Sequence, residues 1–345
     1  MKKHLILSVL AFVAIAVRAQ SDRETPYMTK SFANENVKEV VSSTSGGSIS
    51  VSGNSGETRV EVYVSPNNGR ANSLSKEEIQ KRLNEEWDLN VSVSGGKLSA
   101  TSKPKERDMN WKRWLNISFK IFVPQNVSTD LATSGGSIRL YNVSGTQDFR
   151  TSGGSLTVEK VVGKVNGSTS GGSIDVSDSK DDIDLRTSGG SIKAENCTGK
   201  IKLNTSGGSL TLRDLNGTVR ATTSGGSVDG RNVIGELTAH TSGGNVSLHD
   251  MACSLDASTS GGNISVDMKE LREYVTINNS SGHVDLELPK DKGVTLKLNA
   301  NKIKTDPLNN FSGTMEESSL RGKLNGGGVP ITVDAGSGRI NLSFR

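Results

Sequence analysis

Thr-Ser-Gly-Gly begins at Thr133, Thr151, Thr169, Thr187, Thr205, Thr223, Thr241 and Thr259, each start 18 residues after the last, and an early copy begins at Thr44. A schedule this strict limits the fold, because equivalent residues in equal-length units are free to lie over one another. Counting the Thr as position 0, position 5 is Ile138, Leu156, Ile174, Ile192, Leu210, Val228, Val246 and Ile264, all aliphatic. Position 7 is mostly aliphatic (Leu140, Val158, Val176, Leu212, Leu248, Val266). So is position 14, through Val165, Ile183, Ile201, Val219, Leu237 and Leu255. Spacings of 5 and 7, then 14 and 16, have the two-residue period of strands and not the 3.6-residue period of helices. Each unit therefore holds two short strands with one buried face apiece. The Gly-Gly pair and a second Gly at position 12 (Gly145, Gly163, Gly199, Gly217, Gly235) mark the turns, where positive φ is expected and where the pair allows a bend that a Cβ would obstruct.

Two strands per unit fit either a meander of hairpins or a parallel β-solenoid. An invariant 18-residue step favours the solenoid (β-helix), since it sets position 5 over position 5 along the whole stack. A meander needs no fixed period and usually carries Asn-Gly or Asp-Gly turns. With 32% hydrophobic and only 4% aromatic residues, the core must be narrow. One unit alone buries about five aliphatics, roughly 1.5–3 kcal/mol each. Ordering its 18 residues costs on the order of 1–2 kcal/mol each. Stability must therefore come from stacking on neighbours. Thr and Ser hydroxyls of the turn are expected to bond the turn backbone or the next coil, on a compact, wet edge.

Outside the repeat the chain divides as follows. Residues 1–19 read as a signal peptide: Lys2 and Lys3, an apolar run, and Val-Arg-Ala before Gln20. An uncleaved anchor is the alternative, but the apolar run is short for a bilayer. Losing Lys2, Lys3 and Arg18 takes the formal charge from +4 to +1. Nothing electrostatic then points to nucleic acid, and no later stretch of the mature chain is membrane-spanning. Residues 20–128 are an irregular N-terminal β region with one helix near 75–87, where Ser75 and Glu78 have capping-box spacing and Ile79, Leu83 and Trp87 recur every four residues. Residues 129–279 are the regular 18-residue β-solenoid repeats. Residues 280–345 are C-terminal coils and a cap, with a protruding loop at 309–322 and two last, degraded turns around Gly326–Gly328 and Ser337–Gly338. Cys197 and Cys253 fall about three strand spacings apart, roughly 14 Å. A disulfide needs Cα atoms within about 7 Å, so both are expected reduced and buried.

The chemistry on offer is sparse. The Gly-Gly motif is not the calcium-binding nonapeptide, because aliphatics occupy both its third-Gly and its Asp positions. The Thr row sits at a turn and not on a flat strand face, which argues against ice binding. His240, His249 and His283 share no repeat position, so no metal site is expected, and no cofactor. Asp182 and Asp184 share an outer face with Lys164, Lys200 and Lys202, either as a carboxylate site or as a solvated mixed-charge face. The loop 103–114 carries Trp111, Arg113 and Trp114, a recognition-type combination. These are the weak binding candidates; the competing reading has the tryptophans closing the end of the stack.

The recurring T-S-G-G-S-I and V-x-G-x-V-x-L lines, with the closing GGGVPITVDAGSGRINLSF, resemble the DUF4097 adhesin family of bacteria, related to head GIN domain proteins. The likeness covers roughly residues 40–345. It implies a parallel β-solenoid in the cell envelope and no catalytic residues to carry over. The resulting expectation is a non-enzymatic exported protein of the periplasm or cell surface, an adhesin or scaffold whose partner is a cell-surface protein or glycan. The alternative is a carbohydrate-active β-helix enzyme.

Overall fold

The computed structural model describes residues 25–54, 56–67, 74–106 and 113–345. The signal-peptide segment 1–19 lies outside them. Among the described residues there is one helix, Lys76–Glu86, and 27 strands joined into a single, mostly parallel sheet of solenoid type. The pairing registers step by 18 residues. Ile138 pairs with Leu156, Leu156 with Ile174, Ile174 with Ile192, and the row continues through Leu210, Val228 and Val246 to Ile264. The position-14 row does the same, from Val165 to Ile183, Ile201, Val219, Leu237 and Leu255. All of these side chains are buried.

A third inward row, not picked out by the two-residue spacing, runs along position 10: Val143, Val161, Ser179, Cys197, Leu215, Val233 and Met251, each 0–1% exposed. Both cysteines are free and buried, and burial pushes the Cys253 thiol up to about 12. The preceding residue explains why position 10 turns inward. Position 9 has positive φ in every copy from Asn142 through Lys160, Asp178, Asn196, Asp214 and Asn232 to Asp250. Asn and Asp tolerate the left-handed region better than other non-glycine residues. The chain bends there and drops the next side chain into the core. Volumes compensate between neighbours: a Cβ on Gly167 would lie 2.4 Å from the Phe149 ring, which fills that space from the row above.

The Thr-Ser-Gly-Gly turn works differently from expectation in two respects. None of its glycines has positive φ; that property belongs to the position-12 glycines, such as Gly163 at 114° and Gly217 at 130°. The second Gly of each pair is instead needed for close approach. A Cβ on Gly190 would sit 2.0 Å from the carbonyl oxygen of Gly172, and the same contact recurs at Gly154, Gly172, Gly208 and Gly226. The first Gly is less constrained, with nothing nearer than 3.6 Å at Gly189. Nor is the edge wholly wet. The repeat threonines are 2–7% exposed. Each donates its hydroxyl to the second-Gly carbonyl of the preceding repeat, Thr169 to Gly154 and Thr187 to Gly172 at 2.8 Å. Each also accepts from the second-Gly N–H of its own turn, as Thr187 does from Gly190 at 3.3 Å. The serines and the first glycine of each turn face water. Where the repeat slips, Asn279 takes over both roles, donating to the Gly262 carbonyl and accepting from Gly282 N–H, each at 3.0 Å.

At both ends of the stack the chain order and the spatial order diverge. Ile49, from the early repeat, lies between Ile138 and Phe119, so Leu115–Val123 stacks outside it, as Lys97–Pro104 does outside Glu39–Thr44. Antiparallel pairing then closes that end, through Trp87–Ser94 with Lys97–Pro104 and Arg59–Pro66 with Leu115–Val123. At the other end Ile340 lies between Val284 and Ile303, and Ile331 between Val275 and Leu296. The last two strands of the sequence are thus interior. The segment expected to protrude as a loop at 309–322 is a hairpin, Phe311–Met315 paired with Ser319–Leu324, because the latter strand also pairs with Val294–Asn299.

Two substitutions test these backbone constraints. Gly190→Ala should destabilise by about 3 kcal/mol or more through backbone overlap, while Gly189→Ala should stay within about 1 kcal/mol; denaturant midpoints of the two variants read the difference. Asp181 stands at position 12 with φ 85° where five other repeats have Gly. Asp181→Gly should therefore raise stability by about 1 kcal/mol in the same experiment.

Candidate binding surfaces

The N-terminal end carries the most chemically varied surface. Its helix begins where Ser75 accepts a hydrogen bond from Glu78 N–H at 3.3 Å, with Glu77 and Glu78 in the first turn. The capping is one-sided, because the Glu78 carboxylate is taken by Arg82 at 2.6 Å. The helix buries Leu83 and ends at Glu86. Trp87, the last member of the expected helical spacing, is already extended and opens the next strand. Continuing as strand lets Trp87 turn inward, where it is 3% exposed.

Trp114 is half-buried and meets Trp87 edge to face, with ring centroids 5.3 Å apart and planes at 78°. That arrangement is favourable for aromatic quadrupoles. Arg113 pairs with the Glu86 carboxylate and reaches Glu85 at 3.2 Å. Glu86 holds the Arg113 guanidinium more firmly charged than usual. Trp111, the third candidate, lies outside the described residues. The structure thus joins Trp114 and Arg113 to the helix as packing and ion-pair partners. Beside them a cleft of about 690 Å³ is lined by Tyr27, Gln80, Leu83, Trp87, Leu89 and Lys105 among others. Trp87 Nε1 and Glu86 Oε2 are buried without a hydrogen-bond partner among the described residues.

The carboxylates of the outer face sit where the register puts them. Asp182 lies between Lys164 and Lys200, and Asp184 between Asn166 and Lys202. Asp184 accepts two hydrogen bonds from Arg186, at 2.9 and 2.7 Å, and has Lys202 Nζ at 3.6 Å. The Arg186 hydrogen bond is the main reason its carboxyl is held below the ordinary aspartate range. A carboxylate kept ionised this way is a poor general acid.

One constellation escaped the sequence reading because its members come from neighbouring repeats, 16 and 18 residues from His240. His240 Nδ1 lies 2.7 Å from Ser258 Oγ, and its Nε2 lies 3.6 Å from Asp256. Nucleophilic catalysis also requires N–H donors aimed at a developing oxyanion. Here the backbone N–H groups are engaged in parallel pairing, so the cluster sits on a sheet face with its amides already used. The other histidines lie elsewhere: His249 pairs with Ser247 at 3.1 Å and His283 with Arg339 at 3.2 Å. No group of three His, Cys, Asp or Glu able to hold a metal occurs among the described residues.

Tyr274, which follows Asp256 by one 18-residue step, is displaced from its row. Register shifts in the Ile264–Asn279 strand pair Thr276 with Asp256 instead. Three residues, Arg272, Glu273 and Tyr274, oppose the single Ser254. Tyr274 then reaches the Glu236 carboxylate at 2.9 Å, and burial, followed by that contact, pushes its phenol up to about 12.

These surfaces and pairings define an all-β, largely parallel protein of solenoid type with outer faces of mixed charge. Residues 174–343 match the family model described as Toastrack DUF4097. No curated protein matches it. Two solved structures are similar over most of the chain. One is described as a candidate cell adhesion protein of Clostridium sporogenes ATCC 15579: 11% identity, 93% of this chain and 100% of that one covered, TM-score 0.22. The other is described as a candidate adhesin of Bacteroides fragilis NCTC 9343: 12% identity, 92% and 96% covered, TM-score 0.26.

Truncating Trp114→Ala should cost about 2–4 kcal/mol, since it removes both packing area and the edge-to-face contact. Hydrogen exchange in Lys76–Glu86 should accelerate more than in the strands at Ile174–Ser177; equal acceleration would show that Trp114 does not hold the helix.

Proposed function

We propose that this chain is a non-enzymatic, exported protein of the cell envelope that acts as a stiff rod for adhesion or scaffolding, with a cell-surface protein or glycan as its partner. The observation that carries the reading is the unbroken parallel register from Thr129 to Thr259, in which buried threonine hydroxyls tie each repeat to the last. A two-strand, 18-residue coil is the unit of that rod, and a rod so tied keeps its outer side chains at fixed spacing, as multivalent contact requires. The apolar start of the sequence and the family resemblance support export. No helix among the described residues is long and apolar enough to cross a membrane. The loop with Trp111, Arg113 and Trp114 is the proposed contact hot spot. Trp111→Ala is its cleaner probe, because Trp114 also packs against Trp87.

Protease shaving of intact cells tests the location. Cleavage of the chain from whole cells, together with loss of attachment when it is deleted, is the expected result. Protection until the cells are broken, with attachment unchanged, would refute a surface role. Turnover of any member of a glycan panel, abolished by Asp184→Asn, would overturn the non-enzymatic reading.

A further inference from the structure

Among the described residues four strands pair on one side only: Met28–Ser31, Trp87–Ser94, Lys302–Thr305 and Phe311–Met315. An unpaired edge is a template for another strand unless charge or a covering segment blunts it. Three of the four are blunted. Met28–Ser31 carries Lys30, whose ammonium donates to the Val91 carbonyl at 2.7 Å. Trp87–Ser94 carries Asp88 and has the helix packed beside it. Lys302–Thr305 carries two lysines, and the Ile303 N–H is taken by the Glu317 carbonyl at 2.8 Å. Phe311–Met315 reads Phe-Ser-Gly-Thr-Met, has no charge and no proline, and is exposed from Ser312 on. Its hairpin bonds Asn325 N–H to the Asn310 carbonyl at 3.1 Å and Glu316 N–H to the Ser319 carbonyl at 2.8 Å. Bonded and unbonded residues alternate in an antiparallel pair. Ser312 and Thr314 therefore face Ser319–Leu324, and Phe311, Gly313 and Met315 turn their N–H and C=O groups to the open side. Phe311 and Met315 share a face with Leu324 and Leu320, the buried residues opposite them. Met315 itself is 52% exposed.

We infer that Phe311–Met315 pairs antiparallel with the same strand of a second copy of this chain, about a two-fold axis at Gly313, and joins two stacks end to end. The strand is complementary to itself in this register. Phe311 opposes the second copy's Met315, and Gly313 opposes Gly313, so every outward N–H and C=O meets its counterpart in a bonded pair. The apolar row of Leu324 and Phe311 runs on through the second copy's Met315 and Leu320, which covers the exposed thioether and sets it against an aromatic ring. Ser312 opposes Thr314, and Glu316 opposes Asn310, so no like charges meet. Charge also sets the direction. Each hairpin has an acidic tip, Glu316 and Glu317, and a basic stem, Arg321 and Lys323. Antiparallel docking lays the tip of one hairpin beside the stem of the other, whereas parallel docking would bring the two tips together. A two-fold contact uses up both edges, so assembly stops at two copies. The pairing does not depend on the adhesion reading.

Sedimentation velocity of the purified chain tests the association, and engineered cysteines test the register. Between about 5 and 500 µM the chain should pass from monomer to dimer, with Kd on the order of tens of micromolar, and go no further. Met315→Lys sets a charge against the second copy's Phe311 and should weaken the dimer by about tenfold or more. Val162→Lys alters another exposed apolar side chain, 42% exposed and within the repeats, and should leave the dimer unchanged. Both replaced side chains are exposed, so thermal melts of the two variants should overlay the parent. In the proposed register residues 312 and 314 face each other in an unbonded pair, with Cα atoms about 4.5 Å apart. Each lies about 7–8 Å from its own copy, beyond disulfide reach. Mild oxidation of a mixture of Ser312→Cys and Thr314→Cys chains should therefore give the crosslinked mixed dimer, and neither variant alone should crosslink. Cys197 and Cys253 are buried and do not compete. A chain that stays monomeric across the range, or a dimer that Met315→Lys leaves unchanged, would overturn the pairing. So would crosslinking of Ser312→Cys with itself, which marks another register, or growth beyond the dimer, which marks pairing with a different edge.

Discussion

One hydrogen bond, repeated, sets the geometry of this molecule: a buried threonine hydroxyl bridging the second-Gly carbonyl of one repeat and the second-Gly N–H of the next. It satisfies two backbone groups at a corner where strand pairing is interrupted and water is excluded. It also forces the two turns together until only a hydrogen fits on the second glycine, 2.0 Å from the carbonyl beneath. Thr and Gly therefore constrain each other. The hydroxyl needs the close approach, and the close approach needs the missing Cβ. With this corner fixed, the flanking strands have one register available, and the aliphatic rows follow.

Much of this was legible in the sequence. The period gave the register, the two-residue alternation gave the two faces, and Cys197 and Cys253 could be placed as separate, buried thiols from the repeat alone. What escaped was whatever depended on local backbone conformation. The position-9 residues, Asn142 through Asp250, look like ordinary surface polars in a string of letters. Only their shared positive φ shows that they redirect position 10 into the core. For the Thr-Ser-Gly-Gly glycines the expected obstruction by a Cβ holds and the expected positive φ does not, and no single-sequence pattern separates those two uses of glycine.

The candidate surfaces were less legible than the fold. Trp114 and Arg113 could be singled out by composition, but their attachment to Trp87 and Glu86 depends on an insertion folding back over the first repeat. Asp184 looked reactive beside its lysines; the flanking Arg186 that claims it two residues on was visible in the sequence, but not its bidentate geometry. His240, Asp256 and Ser258 converge only because the register lays one repeat on another.

That order has a consequence for how the protein is made. Ile49 is flanked by residues synthesised long after it, and Ile340, five residues from the C-terminus, is flanked by strands synthesised before it. A chain emerging from its N-terminus cannot seat Ile49–Gly53 on both sides until about ninety more residues have appeared (Ile49 to Ile138). At the far end, Val284–Leu288 and Lys302–Thr305 stand apart until the final strand slides between them. Without Arg339–Phe344 an open slot of strand-shaped, hydrogen-bond-hungry backbone would remain between them. Seating of that one strand is thus the step that seals this end of the stack.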